Sequence, residues 1–66
     1  MIEVQTFNAS GDVIASETFI NESGARRLAR HAFNADCGVA INGVDCFSFA
    51  EVDRAINRTI AMEVAA

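Results

Sequence analysis

The sequence contains no proline, tryptophan, tyrosine or lysine, and it has one histidine and two cysteines among its 66 residues. Without proline, nothing in the chain forces a break in a helix or a strand. With one histidine and no tyrosine, few side chains are available for acid–base catalysis, and we expect no enzyme. No apolar run approaches the roughly eighteen residues that a membrane-spanning helix needs. All basic residues are arginine and alanine is frequent, a usage typical of GC-rich bacterial or phage genomes.

The N-terminus lacks the features of a secretory signal. Residues 1–5 alternate in polarity, and no basic segment followed by an apolar one is present. We therefore expect a protein of the cytoplasm of a bacterial host, with no membrane association. In that reducing compartment Cys37 and Cys46 are expected to behave as small buried apolar side chains.

Two segments near the N-terminus predict a β-hairpin. Residues 2–8 and 12–20 are rich in strand-forming side chains. Residues 9–11 between them fit a three-residue loop with Gly11 in the left-handed conformation. Pairing across this loop leaves apolar side chains on both faces of the hairpin. In one interpretation Ile2, Val4 and Ile14 face the helices, whereas Phe7, Val13 and Phe19 remain outside.

Two later segments predict α-helices. The first is capped by Asn21 or Ser23, ends near Asn34 and Ala35 and has an alanine-rich apolar stripe. The stripe consists of Ala25, Leu28, Ala29, Ala32 and Phe33. The second begins at a capping box formed by Ser48 and Glu51. Phe47 and Val52 stand at the positions of a hydrophobic staple, and the apolar face runs along Phe49, Val52, Ile56, Ile60 and Val64.

Residues 37–47 fit either a second hairpin or an irregular loop. The dipeptide at 42–43 is Asn-Gly, which favours the tight type I′ turn of a hairpin. The expected element order is strand, strand, helix, strand–strand or loop, helix. The whole chain, residues 1–66, is therefore predicted to be a single small α+β domain, with antiparallel hairpins packed with two helices.

The same pairing predicts where the two cysteines lie. If Ile41 pairs with Val44, Cys37 lies opposite Ser48 and the two sulfurs become diagonal neighbours, which disfavours a disulfide.

Candidate metal ligands would be His31, Asp36, Cys37, Asp45 and Cys46. The eight residues between the cysteines do not match the short spacing of zinc ligands. We expect no metal and no cofactor.

Catalysis is not expected either. His31 could pair with Asp36 or Cys37 as a base with a nucleophile, but a chain this short hardly encloses a substrate. No motif for an activated nucleophile or a phosphate-binding loop is present. We therefore assign no catalytic residue.

The basic residues concentrate in the predicted helices. They are Arg26, Arg27, Arg30 and His31 in the first helix, and Arg54 and Arg58 in the second. Such side chains can contact phosphates, but the net charge of −4 opposes binding to a polyanion. Two readings of the first cluster stay open: secondary contacts with a partner, or solvated arginines paired with nearby acids. Direct nucleic-acid binding is not expected.

The predicted strands and loops carry acidic side chains, whereas the bases are confined to the helices. Residues 1–22 carry four acidic and no basic side chains, and so do residues 36–53. An acidic surface on a small scaffold can occupy a basic groove, with electrostatically steered association. Ordinary solubility would account for the same pattern. The side chains expected to form such a surface are Glu3, Asp12, Glu17, Glu22, Asp36 and Asp45.

In size, acidity and order of elements, the chain resembles the small anti-CRISPR proteins of phages and mobile elements. That group shares no single fold or motif. The resemblance implies a non-enzymatic inhibitor that binds a bacterial CRISPR effector, for example a subunit of a Cascade-type complex, and blocks target DNA. Several members act by DNA mimicry, and the six acids would then stand in for phosphates.

The alternative is a small oligomeric accessory protein or an antitoxin-like regulator. The apolar side chains left on the outside of the hairpin motivate it, since such surface on a small domain is commonly buried in an oligomer. A homodimer is the simplest form of that alternative.

Overall fold

The computed structural model describes residues 1–65, in which an antiparallel sheet carries two helices on one face. The strands are β1 (Ile2–Phe7), β2 (Val13–Phe19), β3 (Gly38–Ile41) and β4 (Val44–Cys46), in the spatial order β2-β1-β3-β4. The helices are α1 (Glu22–Asn34) and α2 (Phe49–Ala65). The predicted α+β class and element order are confirmed, and residues 37–47 contain the hairpin.

The loop between β1 and β2 has the predicted form. The backbone N–H of Asn8 donates to the carbonyl of Asp12 at 3.0 Å, and Gly11 donates to the carbonyl of Asn8 at 3.0 Å. The Asn8 side-chain oxygen accepts from the N–H groups of Ser10 and Asp12, each at 3.0 Å. Gly11 has φ +86°, the left-handed conformation that glycine adopts without strain.

A β-bulge changes the register just beyond this loop. Phe7 pairs with Val13, whereas Thr6 pairs with Ala15, so Ile14 is the extra residue of β2. A bulge of this kind shifts the later part of the strand by one position. Because side chains alternate between the two faces, that shift exchanges the faces of the remaining β2 residues.

The expectation that Ile14 faces the helices is therefore wrong. Ile14 is 56% exposed, whereas Phe19 lies opposite Ile2 and packs against the core. Phe19 was expected to remain outside. Phe7 and Val13, which pair before the bulge, do lie on the side of the sheet away from the helices.

Helix α1 lies close to the sheet through small side chains. Ala25, Ala29 and Ala32 are buried, and Leu28 and Phe33 pack at the margin of the core. Asn21 occupies the N-cap position, as predicted, but its side chain makes no capping hydrogen bond.

The second hairpin has the predicted turn and register. Asn42 and Gly43 have φ values of 48° and 82°, as a type I′ turn requires. Ile41 pairs with Val44, and Val39 pairs with Cys46.

Cys37, however, does not lie opposite Ser48, because β3 begins only at Gly38. The backbone N–H of Cys37 instead donates to the carbonyl of Ala32 at 2.9 Å, at the C-terminal end of α1. Both cysteines are free thiols. Cys46 is buried as predicted, whereas Cys37 is only partly buried.

The N-terminus of α2 carries a modified capping box. The N–H of Glu51 donates to Ser48 Oγ at 3.3 Å, and the N–H of Phe47 donates to Glu51 Oε2 at 2.8 Å. The carboxylate thus reaches back one residue further than the capping position. Phe47 is 84% exposed, so the predicted staple with Val52 does not form.

The apolar face of α2 is shorter than predicted. Val52 and Ile56 are fully buried, and Phe49 and Ile60 pack against the core. Val64 is 82% exposed, so the last turn of the helix extends past the sheet.

Candidate protein-binding surface

One face of the sheet is covered by no helix in the part of the chain that the structure describes. In β1, Ile2, Val4 and Thr6 point into the core, so the alternate side chains point away from the helices. The register extends this alternation to the other strands. We call this surface the open face; its residues are Glu3, Gln5, Phe7, Val13, Ser16, Thr18, Gly38, Ala40 and Asp45.

The open face carries charge of one sign. Its charged side chains are Glu3 and Asp45, both acidic. Every arginine and the histidine belong to α1 or α2, on the opposite side of the sheet. The amino group of Met1 is paired with the Glu63 carboxylate of α2. The molecule is therefore electrostatically two-sided, with its basic side chains confined to the helical layer.

Of the six predicted acids, the structure places two on the open face, Glu3 and Asp45. Asp12 and Asp36 lie in loops at the end of the sheet where Phe7 pairs with Val13 and Gly38.

The other two acids lie elsewhere. Glu17 is opposite Val4 and so faces the helical side, and Glu22 is paired with Arg26 at 2.7 Å. The six residues therefore do not form a single surface.

A shallow groove of about 280 Å³ lies at one end of the open face. Phe7, Gly38, Asp45 and Phe47 contribute to its walls. Phe47 is highly exposed and Phe7 is partly exposed, so two aromatic rings border an acidic side chain. The sequence analysis assigned Phe47 to a helix staple and did not place it beside this groove. The expectation that Phe7 lies outside the core was the feature of the sequence that pointed to an apolar surface here.

Two of the three clustered arginines make contacts within the chain. Arg26 donates from Nε to Asp53 at 2.7 Å, from one terminal nitrogen to Glu22 at 2.7 Å and from the other to Asn57 at 3.2 Å. The hydrogen bond with Asp53, followed by that with Glu22, raises the pKa of the Arg26 guanidinium.

The guanidinium of Arg30 lies over the ring of Phe49, 4.9 Å from its centre. Arg26 is therefore paired with nearby acids, as one of the two interpretations predicts. Arg30 instead makes a cation–π contact. Arg27 lines a separate groove beside β2.

The residues considered for catalysis or metal binding are dispersed. Residues 1–65 contain no group of three or more histidine, cysteine or acidic side chains arranged to hold a metal ion. Asp45 and Cys46 point to opposite faces of the sheet, and burial raises the pKa of the Cys46 thiol. Within the same residues, neither helix has the length and hydropathy to cross a membrane.

These features define a small acidic α+β domain with one open sheet face. Comparisons with protein-family models, curated proteins and solved structures give no match.

Proposed function

We propose that the chain is a non-enzymatic binding protein whose open face engages a basic surface on another protein. The observation that carries the proposal is the separation of charge: Glu3 and Asp45 lie on the open face, whereas all arginines lie on the helical side. A face with one sign of charge attracts a surface of the opposite sign and repels acidic partners.

The groove that Asp45 helps to line supplies an apolar contact. Aromatic side chains are enriched among the residues that contribute most to protein–protein affinity, and polar rims surround them. Phe47 and Phe7 fit the first role, while Gln5, Ser16 and Thr18 supply neutral polar groups elsewhere on the open face. Charge would guide the encounter, and the aromatic groove would hold the complex.

Basic surfaces of the required kind occur where proteins bind nucleic acid, because lysine and arginine neutralise phosphates there. Together with the resemblance in size, acidity and element order, this supports an anti-CRISPR inhibitor. The chain would bind a bacterial CRISPR effector complex of the Cascade type and exclude target DNA. Glu3 and Asp45 would then occupy positions of DNA phosphates, with Asp12 and Asp36 at the end of the same surface.

The test is competition with target DNA on purified Cascade-type complexes. The first variant combines Glu3→Gln with Asp45→Asn; the control combines Ala61→Lys with Ala65→Lys on exposed positions of α2. Each pair of substitutions raises the net charge by two, so only the location of the charge differs. We expect the first variant to inhibit about ten-fold less well at low salt and the control to inhibit normally.

The outcomes separate the interpretations. Equal loss in both variants would mean that net charge matters and the open face does not. Failure of the unmodified chain to displace DNA from any of the purified Cascade-type complexes would contradict the inhibitor assignment.

The second candidate function is an oligomeric accessory or regulatory protein. A largely apolar groove of about 390 Å³ between the β3–β4 turn and α2 favours it. Ile41, Val44, Ala55 and Met62 line this groove, and Met62 is 67% exposed. This candidate is preferred if CRISPR complexes are unaffected and the chain forms a stable oligomer through this groove.

A further inference from the structure

Strand β2 is an edge strand with no cover on either face along most of its length. Within residues 1–65 it pairs only with β1, and all its residues except Phe19 are exposed. Its outer edge therefore presents backbone N–H and C=O groups that have no partner strand. Natural edges are commonly protected by lysine, proline, a β-bulge or very short length. Seven-residue β2 contains neither lysine nor proline and carries one charge, that of Glu17, and its bulge at Ile14 leaves Ala15–Phe19 in regular register.

A groove of about 280 Å³ runs beside this edge, between β2 and α1. Glu17 and Phe19 form its strand side, and Arg27, Leu28 and His31 form its helix side. In the described part of the chain, Arg27 takes part in no ion pair. The groove thus combines one acid with basic side chains that are free to bind a further acid.

We propose that β2 pairs antiparallel with β2 of a second copy about a two-fold axis, to form a continuous eight-stranded sheet. Backbone hydrogen bonds along the edge would supply the main contact, as in other additions of a strand to a sheet edge. The axis lies near Ser16, the central residue of the strand.

Charge complementarity favours a second copy as the chain that pairs with β2. Glu17 lies on the helical side of β2, so the added strand brings Glu17 of the partner subunit to the same side. Arg27 and His31 then face an additional acid, and the two-fold axis repeats the arrangement in the other copy. With the axis near Ser16, each Glu17 stands opposite Ala15 of the partner subunit, so the two acids do not meet directly.

The dimer has a consequence for the open face. A two-fold axis that relates antiparallel edge strands is perpendicular to the sheet, so both open faces lie on the same side. Glu3 and Asp45 of both copies would then belong to one surface of about twice the width. The dimer does not depend on the proposed function, because its evidence comes from the edge of β2 and the adjoining groove.

Sedimentation equilibrium across a wide concentration range tests the proposal. The unmodified chain should reach twice its mass of 7.1 kDa. Ser16→Lys places like charges on either side of the axis and should weaken the dimer at least ten-fold. Ala61→Lys makes the same change in charge on an exposed part of α2 and should leave the dimer intact.

A charge exchange tests the groove separately. Glu17→Arg and Arg27→Glu should each weaken the dimer, and the double variant should recover most of the affinity. Hydrogen exchange gives an independent signal, since the amides of β2 that point outward should become protected as the concentration rises.

Four results would overturn the proposal. The chain could remain monomeric at all concentrations, or form a dimer that Ser16→Lys leaves unchanged. It could also form a dimer without protection of the β2 amides, which would assign self-association to the groove beside α2. The chain could, finally, stay monomeric, with its β2 amides protected only by an extended peptide of another protein. That peptide, and not a second copy, would then be the partner of β2.

Discussion

At the scale of single residues, Thr6 carries a buried hydroxyl with an energetic cost. Its side chain points into the core from β1, the residue is 6% exposed, and Oγ1 has no hydrogen-bond partner among residues 1–65. Thr6→Val replaces the hydroxyl with a methyl group of similar size. We expect the free energy of unfolding to increase by about 1 kcal/mol, because the unpaired polar group is removed from the core.

Urea unfolding monitored by circular dichroism measures this change. The matched control is Thr18→Val, which makes the same replacement at an exposed position of β2 and should change stability by less than about 0.5 kcal/mol. A loss of stability in Thr6→Val, with the control unchanged, would show that the Thr6 hydroxyl has a bonding partner in solution.

At the scale of elements, Asn42 connects three parts of the fold. Its side-chain oxygen accepts from the N–H of Glu3 at 2.8 Å, and its side-chain nitrogen donates to Thr59 Oγ1 at 2.9 Å. It also holds the positive φ of the β3–β4 turn. Sequence reasoning found the turn, but the bonds to β1 and α2 depend on tertiary packing that a local dipeptide does not encode.

Asn42→Ala should lower the free energy of unfolding by about 2–3 kcal/mol, since it loses two side-chain hydrogen bonds and strains the turn. Asn42→Gly loses the same bonds without the strain and should cost about 1 kcal/mol less. Thermal and urea unfolding of both variants measure the two contributions. Equal losses would contradict the assigned turn strain.

The β-bulge in β2 explains why the acidic surface could be predicted only in part from the sequence. Segment composition correctly separates acidic strands and loops from helices that contain the bases. It does not reveal on which face of a strand an acid lies. Without the bulge at Ile14, Glu17 would stand opposite Glu3 on the open face; with it, Glu17 stands opposite Val4 on the helical side. A single inserted residue thus moves one acid from the predicted surface to the groove beside β2.

At the scale of the whole molecule, the two proposed surfaces do not compete. The open face points away from the helices, whereas the dimer uses the outer edge of β2 and a groove on the helical side. A dimer would therefore present two open faces together. Two linked binding surfaces raise the apparent affinity for a partner with repeated basic sites, provided that both can engage at once.

We expect the acids of the open face to control the rate of association with the partner. We expect the aromatic groove to control the rate of dissociation. Neutralising Glu3 and Asp45 together should slow association and flatten its dependence on salt, because steering by charge acts on the encounter. Phe47→Ala removes an exposed ring and leaves the core intact. It should accelerate dissociation about ten-fold or more with little change in association.

Surface plasmon resonance at about 50 mM and about 300 mM salt, with the effector complex immobilised, measures both rates. The variant with Ala61→Lys and Ala65→Lys controls for net charge. If the acids changed dissociation alone, charge steering would be the wrong mechanism. If Phe47→Ala changed neither rate, the aromatic groove would lie outside the interface, and the open face would bind through its polar part only.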